Sequence, residues 1–425
     1  MNKKVALLFC CSVAAAAAMV SCGGGSSSGS SSPAPAPGPP PPPPPPGPPP
    51  PPPPPSTGTP TLVRTPVMNA SEPWDLAFVS DGTMFFTEKC RGLSVRRTNG
   101  TVARLFGTTG SAVVANDLFC EGQTGMHGVA IDPDFANNRF VYVYMPSNLT
   151  SPRSNFVVRV TVDTNYSTVT GRADIVRGIS FKTVNIQGRG TGQHSGGRIR
   201  FGPDNLLYIT TGDNHTGSLP QNVNALGGKV LRVNADGNAA AGNNSPGDPR
   251  IFTYGHRNVQ GIAFRPGSGQ PFISEHGPGH NDEVTALVPG GNGGWDPQNR
   301  SGAGFTCIDG YCGYEGTSTT MPMTDTTRFP NAMRPAWNNG GASEGTGPST
   351  FLSGPQWKDW NGRLAVGIMG GQRIEILHLD ANGNSIASTT ASSLPSARMR
   401  SLVQGPDGNL YVATDGGEIW RVVPQ

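Results

Sequence analysis

The sequence predicts an all-β chain folded as a six-bladed β-propeller, and three observations predict it. A plan of apolar strand, Gly/Pro/Asp/Asn turn and second apolar strand recurs six times. The repeats are irregularly spaced, as they are when loops of different length are inserted between blades. The chain is also rich in turn-forming glycine, with 59 in 425 residues. A two-sheet sandwich built from the same hairpins is the alternative architecture.

In chain order the hairpins are Leu76 to Thr87 around Asp81-Gly82, Gly128 to Tyr144 around Asp132-Pro133-Asp134, and Gln193 to Asp213 around Gly202-Pro203-Asp204-Asn205. Gly261 to Ser274 around Pro266-Gly267, Thr350 to Val366 around Asn361-Gly362, and Leu402 to Thr414 around Pro406-Asp407-Gly408 complete the set. The third stands apart chemically. His194 lies ten residues before Asp204 and Asp213 nine after it, so antiparallel pairing brings both to the same open end. An imidazole with a carboxylate in reach is the minimum equipment of a general base.

Ahead of the hairpins, residues 1–22 combine a basic start, an apolar run from Val5 to Val20 and small residues before a cysteine, which marks a secretory signal. Met19-Val20-Ser21-Cys22 resembles a bacterial lipobox, and lipidation at Cys22 would anchor the chain without a spanning helix. The expected location is therefore exported, on the periplasmic face of the outer membrane or at the cell surface. Residues 23–59 are Gly/Ser-rich and then nearly all proline from Pro33 to Pro55. Such a run holds polyproline II and forms a semi-rigid stalk of about 70 Å. Residues 60–425 are left as the propeller domain.

The charge balance narrows the partners. Removing Lys3 and Lys4 with the signal leaves 31 − 2 = 29 basic against 28 acidic residues, which gives no electrostatic footprint for nucleic acid. Beyond the stalk the cysteines are Cys90, Cys120, Cys307 and Cys312. An even count in an oxidising compartment, without zinc-site spacing, points to disulfides. The expected pairs are Cys90–Cys120, between the first two blades, and Cys307–Cys312, across one loop.

In a propeller the innermost strands line the central channel, so the residues just before them converge at one mouth. Those residues are Trp74-Asp75, Gln123, His194, Arg257-Asn258, Trp337 somewhat upstream, and Arg398 with Arg400. The second strands return Glu88, Asp213, Glu275 and Asp415 to the same side. Polar, cationic and aromatic groups gathered on one side of a β scaffold form a small-molecule site.

Several segments then resemble the quinoprotein aldose dehydrogenases related to soluble glucose dehydrogenase, which use pyrroloquinoline quinone. They are Glu121-Gly122-Gln123, Gly125-Met126-His127-Gly128 running into Asp132-Pro133-Asp134-Phe135, His194-Ser195-Gly196-Gly197-Arg198, and Gly228-Lys229-Val230-Leu231-Arg232. Tyr254-Gly255-His256-Arg257-Asn258-Val259-Gln260-Gly261, Glu275-His276-Gly277-Pro278, Asp282-Glu283-Val284 and Gly293-Gly294-Trp295 are the most specific. The resemblance runs from about Pro73 to Val423, and the six-bladed propeller is that family's fold.

The resemblance implies oxidation of an aldose at its anomeric carbon to the lactone. His194 would be the base, Asp213 the group that orients it, and Arg257 the cation that polarises the quinone oxygen. It implies Gln123 as a substrate contact, Asn258 as a cofactor contact, Trp337 as an aromatic wall, and Arg398 and Arg400 as the cations holding the cofactor's carboxylates. Calcium is implied twice: at the carbonyls of Gly277 and Pro278, bridging to the cofactor, and at Asp282, Glu283 and the carbonyl of Gly293 as a structural site. Gly370 stands where relatives carry a lysine that pairs with a cofactor carboxylate; Arg373 is the nearby cation that could replace it. Other readings are a calcium-dependent lactonase, which needs carboxylates converging on the axis, and a non-catalytic sugar-binding lipoprotein. The inserted stretch Ser301 to Ser343 is where sugar specificity is expected.

Overall fold

The computed structural model describes residues 57–183, 190–298, 311–312, 321–391 and 393–425. By compactness the chain divides into Met1–Pro53 and Pro54–Gln425, and all described residues lie in the second unit. The expected signal segment, nearly all of the stalk, Cys307 and much of Ser301 to Ser343 lie outside the described residues.

Six small sheets form a six-bladed propeller. The inner two strands of each blade are the six hairpins read from the sequence: Pro73–Phe78 with Met84–Glu88, Val129–Ile131 with Phe140–Ser147, Ile199–Phe201 with Leu207–Thr210, Val259–Phe264 with Pro271–Glu275, Thr346–Phe351 with Leu364–Ile368, and Met399–Gln404 with Leu410–Thr414. Further antiparallel strands extend each blade outward. Among the described residues, helix is confined to the single α-turn Phe135–Asn138 and the 3₁₀ stretch Pro355–Trp360.

Each blade is covered on both faces, and the sequence of the inner strands follows from that. Phe140–Ser147 is buried almost throughout. Val141, Val143 and Met145 pack with Phe85, Leu93 and Val95 of the first blade, while the alternate Tyr142 and Tyr144 pack with Ile199, Leu207 and Ile209 of the third. Because strand side chains alternate between faces, one strand serves two cores and reads as a continuous apolar run. Similar clusters join the third blade to the fourth, the fourth to the fifth, the fifth to the sixth and the sixth to the first.

The ring is closed by a strand that sequence reading passed over. Leu62–Asn69 pairs antiparallel with the C-terminal strand Glu418–Pro424, so the sixth blade is built from both ends of the domain. The Cys90–Cys120 disulfide is formed as expected. It ties the turn after the second strand of blade one to the loop that carries Gln123.

Candidate functional site

At one mouth of the channel is a cavity of about 820 Å³. Its wall includes Gln123, His194, Asn258, Arg398 and Arg400, the side chains that sequence reading expected to converge. Trp74 and Asp415, also expected there, line it too, and His127, His215, Gln260, His276 and Met369 contribute as well.

The hairpin of blade three sets the central pair. Its ladder Ile199↔Ile209, Arg200↔Tyr208 and Phe201↔Leu207 continues outward until the Asn214 N–H donates to the His194 carbonyl at 3.3 Å. His194 takes a left-handed backbone conformation, φ 52°, and a Cβ on Gly212 would lie 2.0 Å from its carbonyl oxygen. Glycine at 212 is thus what lets the two strand ends come together. His194 Nδ1 lies 2.7 Å from Asp213 Oδ1. The indole N–H of Trp295 donates to Asp213 Oδ2 at 2.8 Å, and the His215 amide donates to Oδ1 at 3.0 Å. Burial raises the Asp213 pKa, while His215 and Arg257 pull against that rise. The backbone and indole donors on the carboxylate favour its ionised form, and with it the tautomer that has the proton on His194 Nδ1 and leaves Nε2 as the basic nitrogen. That nitrogen faces His215 Nε2 at 2.9 Å.

Across the cavity, Arg398 and Arg400 share one counter-ion. Arg398 Nε lies 2.7 Å from Asp415 Oδ2, and Arg400 donates to both oxygens of the same carboxylate at 2.8 and 2.9 Å. Two cations against one anion leave this wall with one net positive charge. Asn258 Oδ1 accepts from the Gly196 amide at 3.2 Å and from Gln260 Nε2 at 3.0 Å, so blade four braces the turn that carries His194.

Trp74 and His127 stack face to face, with centroids 4.5 Å apart and planes within 4°. The Arg198 guanidinium lies over Trp74 at 4.2 Å. Burial holds the His127 pKa down to about 3, so the ring is neutral. His276 is also held below the usual histidine range by burial. Its Nε2 is buried and has no hydrogen-bond partner among the described residues.

Other expected residues are placed differently. Arg257 is fully buried and does not line the cavity; its Nη1 donates to the His276 carbonyl at 2.9 Å. Trp337 stands on the outermost strand of blade four, paired with Val284 and packed among apolar side chains, because the chain reaches it by adding a fourth strand rather than returning to the axis. Arg373 is engaged by Glu344 and Glu375, so it does not replace the family lysine. At that place Met369 lines the cavity, and the Gly370 amide donates to the Glu344 carbonyl at 2.6 Å.

The expected calcium ligands divide. Asp282 accepts hydrogen bonds from the amides of Gly277, Glu344 and Thr346 and from the hydroxyls of Ser343 and Thr346. Five donors fill a carboxylate, which makes this residue a loop organiser rather than a ready metal ligand. Glu283 accepts from Thr324 Oγ1 at 2.8 Å, and burial lifts its pKa to about 8. The Gly293 amide donates to the Tyr254 carbonyl at 2.7 Å. Gly277 and Pro278 follow His276 but do not line the cavity; their carbonyls accept no backbone hydrogen bond among the described residues. His127, His215 and His276 were missed by sequence reading as site residues, although Gly125-Met126-His127-Gly128 and Glu275-His276-Gly277-Pro278 had been singled out. For His215 the available signal was its position two residues beyond Asp213.

A closed propeller thus carries, at one channel mouth, a cavity lined by a buried His–Asp pair and faced by paired arginines. The family model described as Glucose / Sorbosone dehydrogenase matches residues 70–421, and the chain belongs to that family. It is 27% identical over 366 residues to the aldose sugar dehydrogenase YliI of Escherichia coli, covering 83% of this chain and 90% of that protein. It is 30% identical over 256 residues to quinoprotein glucose dehydrogenase B of Acinetobacter calcoaceticus, covering 53% of this chain and 50% of the relative. The PQQ-bound aldose sugar dehydrogenase of Streptomyces coelicolor shares the fold, with a TM-score of 0.64 at 23% identity over 86% of this chain and 99% of that one.

Proposed function

We propose that this protein oxidises an aldose at its anomeric carbon to the lactone, with pyrroloquinoline quinone as cofactor. The observation that carries the reading is the His194–Asp213 pair, 2.7 Å apart and buried in the wall of a cavity that Arg398 and Arg400 face. The residues present fit such a cofactor. Two guanidiniums suit its carboxylates, the buried Nε2 of His276 lacks a partner among the described residues, and a cavity of about 820 Å³ accommodates it with a sugar. When bound, the quinone supplies the two-electron acceptor for the hydride of the anomeric carbon.

The chain's own residues supply the rest. His194 Nε2 takes the proton of the anomeric hydroxyl, and Asp213 holds the ring in the tautomer that can do so. Arg398, Arg400 and Asn258 would hold and orient the cofactor, and Gln123 would contact the sugar. Arg257, one wall deeper, acts through Asp213 by favouring its ionised form. For calcium, the carbonyls of Gly277 and Pro278 are the ligands that fit a hard cation, Glu283 and the Gly293 carbonyl are candidates for a second site, and Asp282 does not fit. Residues 1–22 and Cys22 are read as a lipoprotein signal and anchor, with the proline stretch as a spacer on the exported side.

The test is dye-linked oxidation across a panel of aldoses by protein reconstituted with pyrroloquinoline quinone and calcium. Aldose-dependent dye reduction that needs the quinone is expected. Dye reduction by no aldose would contradict the reading and favour a non-catalytic sugar-binding propeller.

A further inference from the structure

His215 sits where a merely structural histidine has no reason to be. It follows Asn214 at two successive left-handed positions, φ 49° and 53°, and the residue is 3% exposed. Its backbone amide is held by Asp213 Oδ1, the same oxygen that holds His194 Nδ1. One carboxylate oxygen thus holds the His194 ring and the His215 backbone, and the two imidazole centroids are 3.8 Å apart at 65°. The two Nε2 atoms meet at 2.9 Å. In the tautomer that the Asp213 contacts favour, His194 Nδ1 donates to Asp213 and its Nε2 accepts, which puts the proton between the rings on His215 Nε2.

We propose that His215 is a second catalytic residue, a hydrogen-bond donor to the substrate oxygen that His194 deprotonates. This rests on the proposed sugar oxidation and adds a role to that site. Because the nitrogens are only 2.9 Å apart, an oxygen at the apex of a triangle over them can sit about 2.8 Å from both, an ordinary hydrogen-bond distance. A hydroxyl seated over both nitrogens takes the His215 N–H as donor and leaves the His194 lone pair to accept its proton.

As the O–H bond breaks, its proton forms an N–H bond on His194. The C–H bond then breaks with both electrons leaving as hydride to the oxidant of the proposed function, and C=O forms. At the moment the proton has moved, two N–H groups face each other across the gap. That arrangement is repulsive without an oxygen between them and stabilising with one that bears negative charge, as an oxyanion hole does.

The test uses His215→Leu and His215→Gln in the reconstituted protein, together with histidine ¹⁵N NMR of wild-type protein without cofactor. His215→Leu is expected to lower kcat on the order of a hundredfold, the scale for loss of one such donor, with KM little changed and a larger isotope effect for sugar deuterated at the anomeric carbon. His215→Gln, which keeps a donor, is expected to recover at least about tenfold of that loss. Equal rates for wild type and the Leu variant, or equal loss in both variants, would overturn the role. NMR is expected to find His194 protonated at Nδ1 and His215 at Nε2, and a His215 protonated at Nδ1 overturns the proposal whether or not the protein oxidises sugar. If wild type oxidises no aldose while the tautomers are as expected, the sugar reading fails and the donor pair stands as the site for another hydroxyl substrate.

Discussion

The proposed base role depends on which nitrogen of His194 is bare, and its Nδ1 lies 2.7 Å from Asp213. Asp213→Asn would offer an amide donor or a carbonyl to Nδ1, and in either case a weaker tautomer control. We expect turnover to fall by about a thousandfold to ten-thousandfold, measured as kcat with folding checked by thermal melting. His194→Gln removes the base itself and should cost about a hundredfold to ten-thousandfold while leaving cofactor affinity, read by spectral titration, close to wild type. Near-normal turnover in that variant would remove His194 from the mechanism. At Gly370 the resemblance suggested that a lysine would strengthen cofactor binding. A Cβ there would lie 2.4 Å from the Glu344 carbonyl oxygen, so Gly370→Lys is now expected to lower the melting temperature instead.

Among the elements, the inner hairpins were legible because each carries its own signal: two short apolar runs and a turn whose Gly, Pro, Asp or Asn residues have a local reason to be there. The closing strand Leu62–Asn69 was not, since its pairing with Glu418–Pro424 joins residues more than three hundred positions apart and leaves no local mark. The same distinction runs through the site. His194, Asp213, Gln123, Asn258, Arg398 and Arg400 were found from their places beside strands, whereas Trp337, placed somewhat upstream of an inner strand by the same reading, lies on an outer strand. His215 was passed over because its relation to His194 comes from the left-handed turn, not from the ladder. Deleting Leu62–Asn69 should open the ring, leaving a protein that no longer unfolds in one cooperative denaturant transition. Cys90→Ser should destabilise the domain by about 2–4 kcal/mol, and because Cys120 anchors the loop of Gln123, it should also raise the KM for sugar.

At the scale of the whole molecule, the blades are joined at the axis by one buried carboxylate. Asp75 of blade one accepts from both Nη atoms of Arg200 at 2.7 Å, from Ser401 Oγ at 2.9 Å and from the Val129 amide at 3.1 Å, and it pairs with Arg198. Arg198 in turn donates to the carbonyls of Gln260 and Arg400. Five of the six blades meet in this cluster. Burial alone would raise the Asp75 pKa, yet Arg198 and Arg200 hold it below the usual carboxylate range. A depressed folded pKa gives stability that is present above the unfolded pKa of about 4 and is lost as pH falls through the folded value. His127 adds to the same slope: with a folded pKa of about 3 it resists a proton that the unfolded chain takes up near pH 6.5, so its share of stability declines from there downward. Glu283, with its folded pKa lifted to about 8, has the opposite sign between there and about pH 4.5 and offsets His127 in that range, so the net fall in unfolding free energy is expected below about pH 4, where the Asp75 contribution is lost. Asp75→Ala, which strands the buried Arg198 guanidinium and the partly buried Arg200, should cost about 3–5 kcal/mol at neutral pH. A variant as stable as wild type would mean that the axis is not a hub.

The central claim, that this propeller uses a quinone to oxidise a sugar through His194, is tested most directly by one anaerobic absorbance measurement. Protein loaded with pyrroloquinoline quinone and calcium is mixed with an excess of aldose and no external acceptor. The account predicts that the bound quinone's absorption is bleached in a single turnover by wild type, and on the order of a hundredfold or more slowly by His194→Gln. A loaded wild-type protein whose spectrum no aldose changes, or a His194→Gln variant that bleaches at the wild-type rate, would contradict it.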